Sequence, residues 1–397
     1  MTREYQKTHP WLKFSVDFTR ALPSFWAKLG ECRSKCEHLA GVPLRPDVAK
    51  QLHAVYLAKG IWGTTAIEGN TLSEQEVRQH IEGKLEVPAS KEYLKQEIDN
   101  ILQESNRMLT MIAGQISIPL SPERIKQINA AALKGLALEE RVIPGRIRTY
   151  SVGVMTYRGA PAKDCEYLLE KLCGWLNSEE FNPRDGLDAV HMAILKAMIA
   201  HLYIEWIHPF GDGNGRTGRL IEVQILLSAG VPSPASHLLS NHYNLTRRDY
   251  LLRLKAASES GGEVLPFLTY ALEGFLEGLR EQIAYVRTLQ MEVMWVNYVH
   301  DYFRGQDGRS AERQKWVLLD LYEKAEAIAI SEIDKLSPRL AKAYANVSLR
   351  TLMRDVESLE KEELITRKGK KIRANQALIA QFLPICAHHP PMPDVGA

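Results

Sequence analysis

The sequence predicts an all-α fold carrying one short β-hairpin, followed by a C-terminal module of two helices and a second hairpin. Three observations point there. Apolar residues recur at helical spacing through most of the 397 residues, whereas β-branched and aromatic residues cluster only around 146–157. The charge balance also changes near the C-terminus: Ser337 to Asn375 carries ten Lys/Arg against five acids, in a chain whose formal net charge is only +2.

Taken in order, Asp47 to Glu68 has helical spacing and stops at Gly69-Asn70, a helix C-terminal signal. Ser73 to Glu76 has the S-x-x-E form of a capping box and opens the next helix. Glu92 to Met111 is a further helix, closed by Gly114 and Pro119, and Ser121-Pro122-Glu123 opens another with proline at its first position. The run from Arg146 to Tyr157 between Pro144 and Pro161 predicts the hairpin. Asp188 to Ile207 is apolar on nearly every face and predicts a buried central helix. A break over Pro209 to Asn214 precedes a helix from Gly215 to Ala229, and others follow over Arg247–Ala257 and Pro266–Val299. Arg304 to Ser310, with clustered Gly, Asp and Ser, is the best linker. Beyond it Leu349, Leu352, Met353, Val356 and Leu359 form a helical stripe. Leu364 to Arg373 then predicts strand, glycine turn and strand. Helix, helix and basic hairpin resemble a winged helix-turn-helix module. The expected domains are 1–110, 111–300 and 308–380.

Hydrophobic residues at 45% and charged residues at 25% exclude a wholly disordered chain or a collagen-like repeat. The five cysteines, Cys32, Cys36, Cys165, Cys173 and Cys386, are scattered and odd in number. They suit reduced thiols rather than a disulfide framework, and no second pair follows at zinc spacing. No run approaches the ~18 apolar residues that span a bilayer, and no secretory leader pattern opens the chain. A cytoplasmic protein without membrane contact is expected.

The chemistry concentrates in His208-Pro209-Phe210-Gly211-Asp212-Gly213-Asn214-Gly215-Arg216-Thr217-Gly218-Arg219. Three glycines let the backbone turn sharply and aim N–H groups at one spot, and the loop runs into a helix N-terminus that favours an anion. Arg216 and Arg219, three apart, share a helix face, and two guanidinium forks beside an amide nest suit a polyphosphate. Asp212 is a hard oxygen donor suited to Mg2+ bridging phosphates. His208 stands where the central helix breaks, and a neutral imidazole is a natural general base. The literal G-x-G-x-x-G at 213–218 is not a dinucleotide fingerprint, because a helix precedes it and no acid falls between Glu222 and Asp249. No Gly-Lys-Ser/Thr follows, which excludes a Walker A loop.

HPFGDGNGRTGR resembles the Fic family pattern H-P-F-x-[D/E]-G-N-G-R-x-x-R at every fixed position. The resemblance implies a helical enzyme that transfers AMP from ATP to a hydroxyl of a target protein. By it, His208 deprotonates the hydroxyl, Phe210 packs inward and Asp212 holds Mg2+. Gly213, Asn214 and Gly215 form the α-phosphate anion hole, and Arg216 and Arg219 clamp the β- and γ-phosphates, with Thr217 and Gly218 in the same nucleotide-binding stretch. Val152, Gly153 and Val154 look like the family's flap, which aligns an extended target segment. Tyr250 and Leu251 fall about where the family borders adenine, and Ser258 about where members can carry Asn. Thr64-Thr65-Ala66-Ile67-Glu68-Gly69 resembles the inhibitory motif [S/T]-x-x-x-E-[G/N]. With Thr64 and Glu68 four apart on one helix, it implies that Glu68 pairs with Arg219 and blocks the γ-phosphate.

The expected partners are ATP and a protein with an exposed hydroxyl residue, the chain itself being a candidate target, in a homodimer. The alternatives are transfer of another nucleotide, removal of AMP, or a DNA-binding regulator with a Fic sensor core, for which the basic C-terminal stretch speaks. His191 and His201 are expected to be satisfied core histidines. Trp295 and Tyr298 are expected to pack rather than stack on bases.

Overall fold

The computed structural model describes residues 3–116, 119–154, 157–184, 186–324 and 326–380. Met155 and Thr156 of the expected hairpin, together with Cys386, lie outside them. The chain divides into two compact units after Ile283. That division falls inside the helix Leu265–Tyr302, so neither the expected boundary at 110 nor a linker at 304–310 separates the units.

In the first unit the central helix Ala189–Ile207 begins at Asp188, whose carboxylate accepts from the Val190 and His191 amides while the His191 ring reaches back to the Asp188 amide. His191 is thus a capping residue. The helix is long and apolar enough by composition to cross a membrane, against the sequence expectation. However, 83% of its most apolar window is buried inside the protein, as befits a core helix. It packs against Asn214–Ser228, which in turn meets Glu92–Ala113 and Pro122–Ala132, while Pro46–Ala66 lies against Leu238–Leu245. The predicted starts hold: Ser73 and Glu76 form a capping box over Glu74–Ile81, and Ser121 caps Pro122–Ala132.

The predicted hairpin is shorter than its sequence signal. Among its described residues Gly153–Val154 and Tyr157–Arg158 pair, antiparallel, with Gly153 opposite Arg158. Arg146 to Tyr150 is loop, because buried Arg148 donates to the carbonyls of His208 (2.7 Å), Tyr150 (2.6 Å) and Ala160 (2.5 Å) rather than joining a strand ladder. Its neighbour Ile147 bridges to Phe210.

The second unit has its own core, including Trp295, Val299, Val317, Leu318, Ile333, Leu340, Val356 and Ile372. Its elements run helix Arg309–Tyr322, strand Ile328–Ala329, helices Pro338–Tyr344 and Leu349–Lys361, then strands Ile365–Lys368 and Lys371–Ala374. The three strands form an antiparallel sheet with Lys371–Ala374 in the middle. Leu349 departs from the expected apolar stripe and is 67% exposed. Trp295 is fully buried and donates Nε1–H to the Leu318 carbonyl (3.2 Å), which is packing as expected.

Candidate active site

His208 caps the central helix in the left-handed region, at φ 49° and ψ 59°. That conformation is costly for a residue with a Cβ. It is held by the Ile204 carbonyl, which accepts the His208 amide (2.9 Å), and by Arg148 on the His208 carbonyl. The Nδ1–H points at the Glu205 carbonyl (3.4 Å), which leaves the Nε2 lone pair as the available base. Burial pulls the imidazole down to about 4, so it is neutral at pH 7. Burial acts oppositely on Glu205, pushing its carboxyl up to about 7 against the pull of Arg219.

The loop beyond His208 is braced by side chains. Asn214 accepts the Phe210 amide (2.9 Å) and donates to the Phe210 carbonyl (3.0 Å), with the Phe210 ring buried beneath. Asn129 donates to the Asp212 carbonyl (3.0 Å) and Thr217 Oγ1 (3.2 Å) and accepts from the Gly145 amide (2.9 Å). Gly213, at φ 75°, turns the chain into the helix Asn214–Ser228. The Thr217 amide closes the first helical bond onto the Gly213 carbonyl (2.9 Å). The amides of Asn214, Gly215 and Arg216 therefore have no intrahelical acceptor and form an anion site. Gly215 is the floor of that site, since a Cβ there would strike Glu68 Oε1.

Arg219 donates to the Thr64 carbonyl (3.1 Å) and pairs with the Glu68 carboxylate. The helix ends at Ala66, however, so Glu68 lies in the turn beyond it and not on the helix, and Thr64 contributes a backbone carbonyl rather than its hydroxyl. Burial alone would raise the Glu68 carboxyl; Arg219 first and Arg216 second outweigh it and hold Glu68 below the usual range. Gly69 follows with φ 102°.

Arg216 does not share Arg219's partners. It donates to Glu97 (2.5 Å) and Asp212 Oδ1 (3.1 Å), while Glu97 also accepts from Asn70 (2.9 Å). Asp212 keeps 43% of its side-chain exposure at the mouth of the loop. One open carboxylate is the donor that Mg2+ on a polyphosphate needs, since the phosphates and water supply the rest. Among the described residues no group of three His, Cys, Asp or Glu forms a preassembled metal cage.

Three predicted nucleotide contacts, Thr217, Gly218 and Tyr250, are turned into the core. Thr217 is fully buried and donates to the Gly213 carbonyl (2.7 Å), and Gly218 abuts His201 in the core. Tyr250 is buried, meets His201 Nε2 (2.8 Å) and stacks on Tyr243, while Leu251 is half-buried on the same helix, Arg247–Glu259. Ser258, also buried, bonds the Lys255 carbonyl (2.8 Å). Sequence reading missed Glu97, Asn129, Arg148 and Glu205. Each sits far from the motif or on an apolar helix, with no local signal marking its partner.

The flap stands beside His208. Tyr157 donates its hydroxyl to the Trp206 carbonyl (2.6 Å), the Ala160 amide donates to Ile207 (3.2 Å), and His9 Nε2 meets the Arg158 carbonyl (2.8 Å).

Residues 119–226 match the model of the Fic/DOC family. The protein adenylyltransferase fic-1 of Caenorhabditis briggsae is 29% identical over 268 residues, which is 65% of this chain and 46% of that protein. The protein adenylyltransferase Fic of Nematostella vectensis is 29% identical over 53% of this chain and 45% of its own length. The chain thus spans about half the length of these curated relatives. Among solved structures, a Fic family protein from Desulfovibrio desulfuricans aligns over 90% of this chain and 97% of its own, with a TM-score of 0.55 and 20% identity. Fic-1 of C. elegans aligns over 67% and 73%, with a TM-score of 0.52 and 24% identity. The helical fold is therefore shared, and the likeness to the Fic/DOC family model is confined to residues 119–226.

Proposed function

We propose that the protein is a protein adenylyltransferase held in check by Glu68. The observation that carries this reading is a neutral, buried imidazole beside three unpaired helix-terminal amides whose neighbouring guanidinium is occupied by Glu68. His208 Nε2 takes the proton of a target Ser, Thr or Tyr hydroxyl as its oxygen bonds the α-phosphorus of ATP, and the bond to pyrophosphate breaks. The amides of Asn214, Gly215 and Arg216 receive the charge that grows on the α-phosphoryl oxygens. Mg2+ held by Asp212 would neutralise the phosphates. Arg216 orients Asp212, and Arg219 meets the polyphosphate tail once Glu68 leaves it. The unpaired edge of Gly153 seats the target strand. The curated relatives named protein adenylyltransferase support this reading.

The order of helices and strands over Arg309–Ala374 supports a winged helix, with Leu349–Lys361 as its third helix and Gly369-Lys370 as the tip of the wing.

The test incubates the protein with Mg2+ and α-labelled ATP. Glu68→Gly is expected to raise label transfer at least tenfold over wild type, and His208→Ala on that background to lower it ~100-fold or more. Label from another nucleotide alone would reassign the donor. Equal labelling of wild type and Glu68→Gly would remove the inhibitory role.

A further inference from the structure

Lys368 and Lys371 are directly opposite one another across the last rung of the C-terminal hairpin, with Lys370 in the turn between them. Like charges in that position repel. Nothing local relieves them: all three are exposed, and among the described residues none has an acid partner, whereas Arg367 behind them is paired with Glu360. Arg373, on the same outward face, is likewise exposed and has no acid partner among the described residues. A hairpin that keeps an uncompensated cluster at its tip is shaped for an external anion.

The helix Leu349–Lys361 adds to it. Ser348 caps its start, its buried side is Leu352, Val356 and Leu359, and its outward line runs Arg350, Arg354, Glu357, Lys361. Arg350 and Arg354 occupy the first two turns, exposed and, among the described residues, without ion pairs, and Lys342 on the preceding helix is exposed as well. The one strongly buried acid of this helix, Asp355, is spent internally on Arg313, Ser310 and Tyr344, so it does not offset the outer charge.

We propose that this face binds duplex DNA, with the first two turns of Leu349–Lys361 in the major groove and the Lys368–Lys371 tip on the flanking backbone. The spacing of charge favours this class of partner. A helix presents arginines at i and i+4 on one line, as needed to reach base edges. A separate lysine cluster sits on a protruding hairpin, where phosphate contacts position rather than specify. Glu357 between the basic residues makes a continuous anionic surface such as a membrane a poorer fit, since one carboxylate would face it. It can accept from a cytosine amino group in a groove.

The experiment measures full-length protein on a fluorescent 30-base-pair duplex of mixed sequence, from 50 to 200 mM KCl, with anionic phospholipid vesicles in parallel. Each phosphate contact contributes about 0.9 to the slope of log affinity against log salt. Lys368→Gln/Lys370→Gln/Lys371→Gln is expected to lower that slope by about 2 to 3 and to weaken binding at least tenfold at 50 mM. Arg350→Ala/Arg354→Ala is also expected to weaken it, whereas restoring charge with Arg at the three wing positions keeps it. Removing three exposed lysines of the other unit, Lys7, Lys13 and Lys50, is expected to change nothing. The proposal is overturned if wild type does not bind duplex at 50 mM, if the Lys7/Lys13/Lys50 variant weakens binding as much as the wing Gln variant, or if vesicles bind and duplex does not.

Discussion

Glu205 and His208 lie three residues apart, and burial drives them in opposite directions, Glu205 up to about 7 and His208 down to about 4. The imidazole costs stability as pH falls from its usual range near 6.5 toward 4, because the unfolded chain binds that proton more readily. The carboxyl acts the other way. Its folded form holds the proton longer than the unfolded chain, so stability is full below pH ~4.5 and is lost as pH rises through about 7. Glu205→Gln removes only the second effect. Melts of the variant and wild type from pH 4.5 to 8 are therefore expected to diverge in the variant's favour by up to about 3 kcal/mol as pH rises. A difference that stays flat with pH would show that Glu205 does not titrate there. At this scale the sequence was legible where chemistry is written in consecutive letters, 208 to 219. It was silent on Glu205, Arg148 and Glu97, whose roles depend on which distant carbonyl or guanidinium the fold brings against them.

The flap illustrates the next scale. The Gly159 amide donates to the Val152 carbonyl (3.1 Å), so by alternation Gly153 and Arg158 form the neighbouring pair whose peptide groups face outward. His9 closes the Arg158 side, which leaves the Gly153 side for an incoming strand. His9 is itself fixed between Thr8 Oγ1 (2.9 Å) and the Trp11 ring. In the activated Glu68→Gly background, His9→Ala is expected to raise the KM for target protein several-fold while the affinity for ATP is unchanged. A parallel rise in both would place His9 in general stability instead. Strand pairing this short was only half legible: the β-branched run marked the region, but Arg148 diverted its first half into carbonyl contacts.

For the whole molecule, two cores imply two seats of stability. In the C-terminal unit Asp355 is 1% exposed and accepts from Arg313 (2.7 Å), Ser310 (2.6 Å) and Tyr344 (3.1 Å). Asp355→Ala strands the Arg313 guanidinium, a loss of about 3–5 kcal/mol. It is expected to lower one thermal transition while label transfer by the Glu68→Gly form stays intact; loss of both together would show that the units unfold as one. The sequence pointed to a break at Gly305 and Gly308 because turn residues mark chain reversals. A domain edge is set by which side chains share a core, and Met291 and Trp295 join the second core while still inside a helix.

Glu68 and Gly69 lie in a short turn between fixed points, the helix end at Ala66 and Asn70, which donates to the Leu94 carbonyl (3.0 Å) and to Glu97. Withdrawing the carboxylate from Arg219 needs rotation about a few bonds of that short span and melts no helix. Such rearrangements relax in nanoseconds to microseconds. If Glu68 restrains the enzyme as proposed, that restraint is a standing equilibrium that re-forms between turnovers, so a signal that relieves it must remain bound for as long as activity is wanted, and activity stops without lag when it departs.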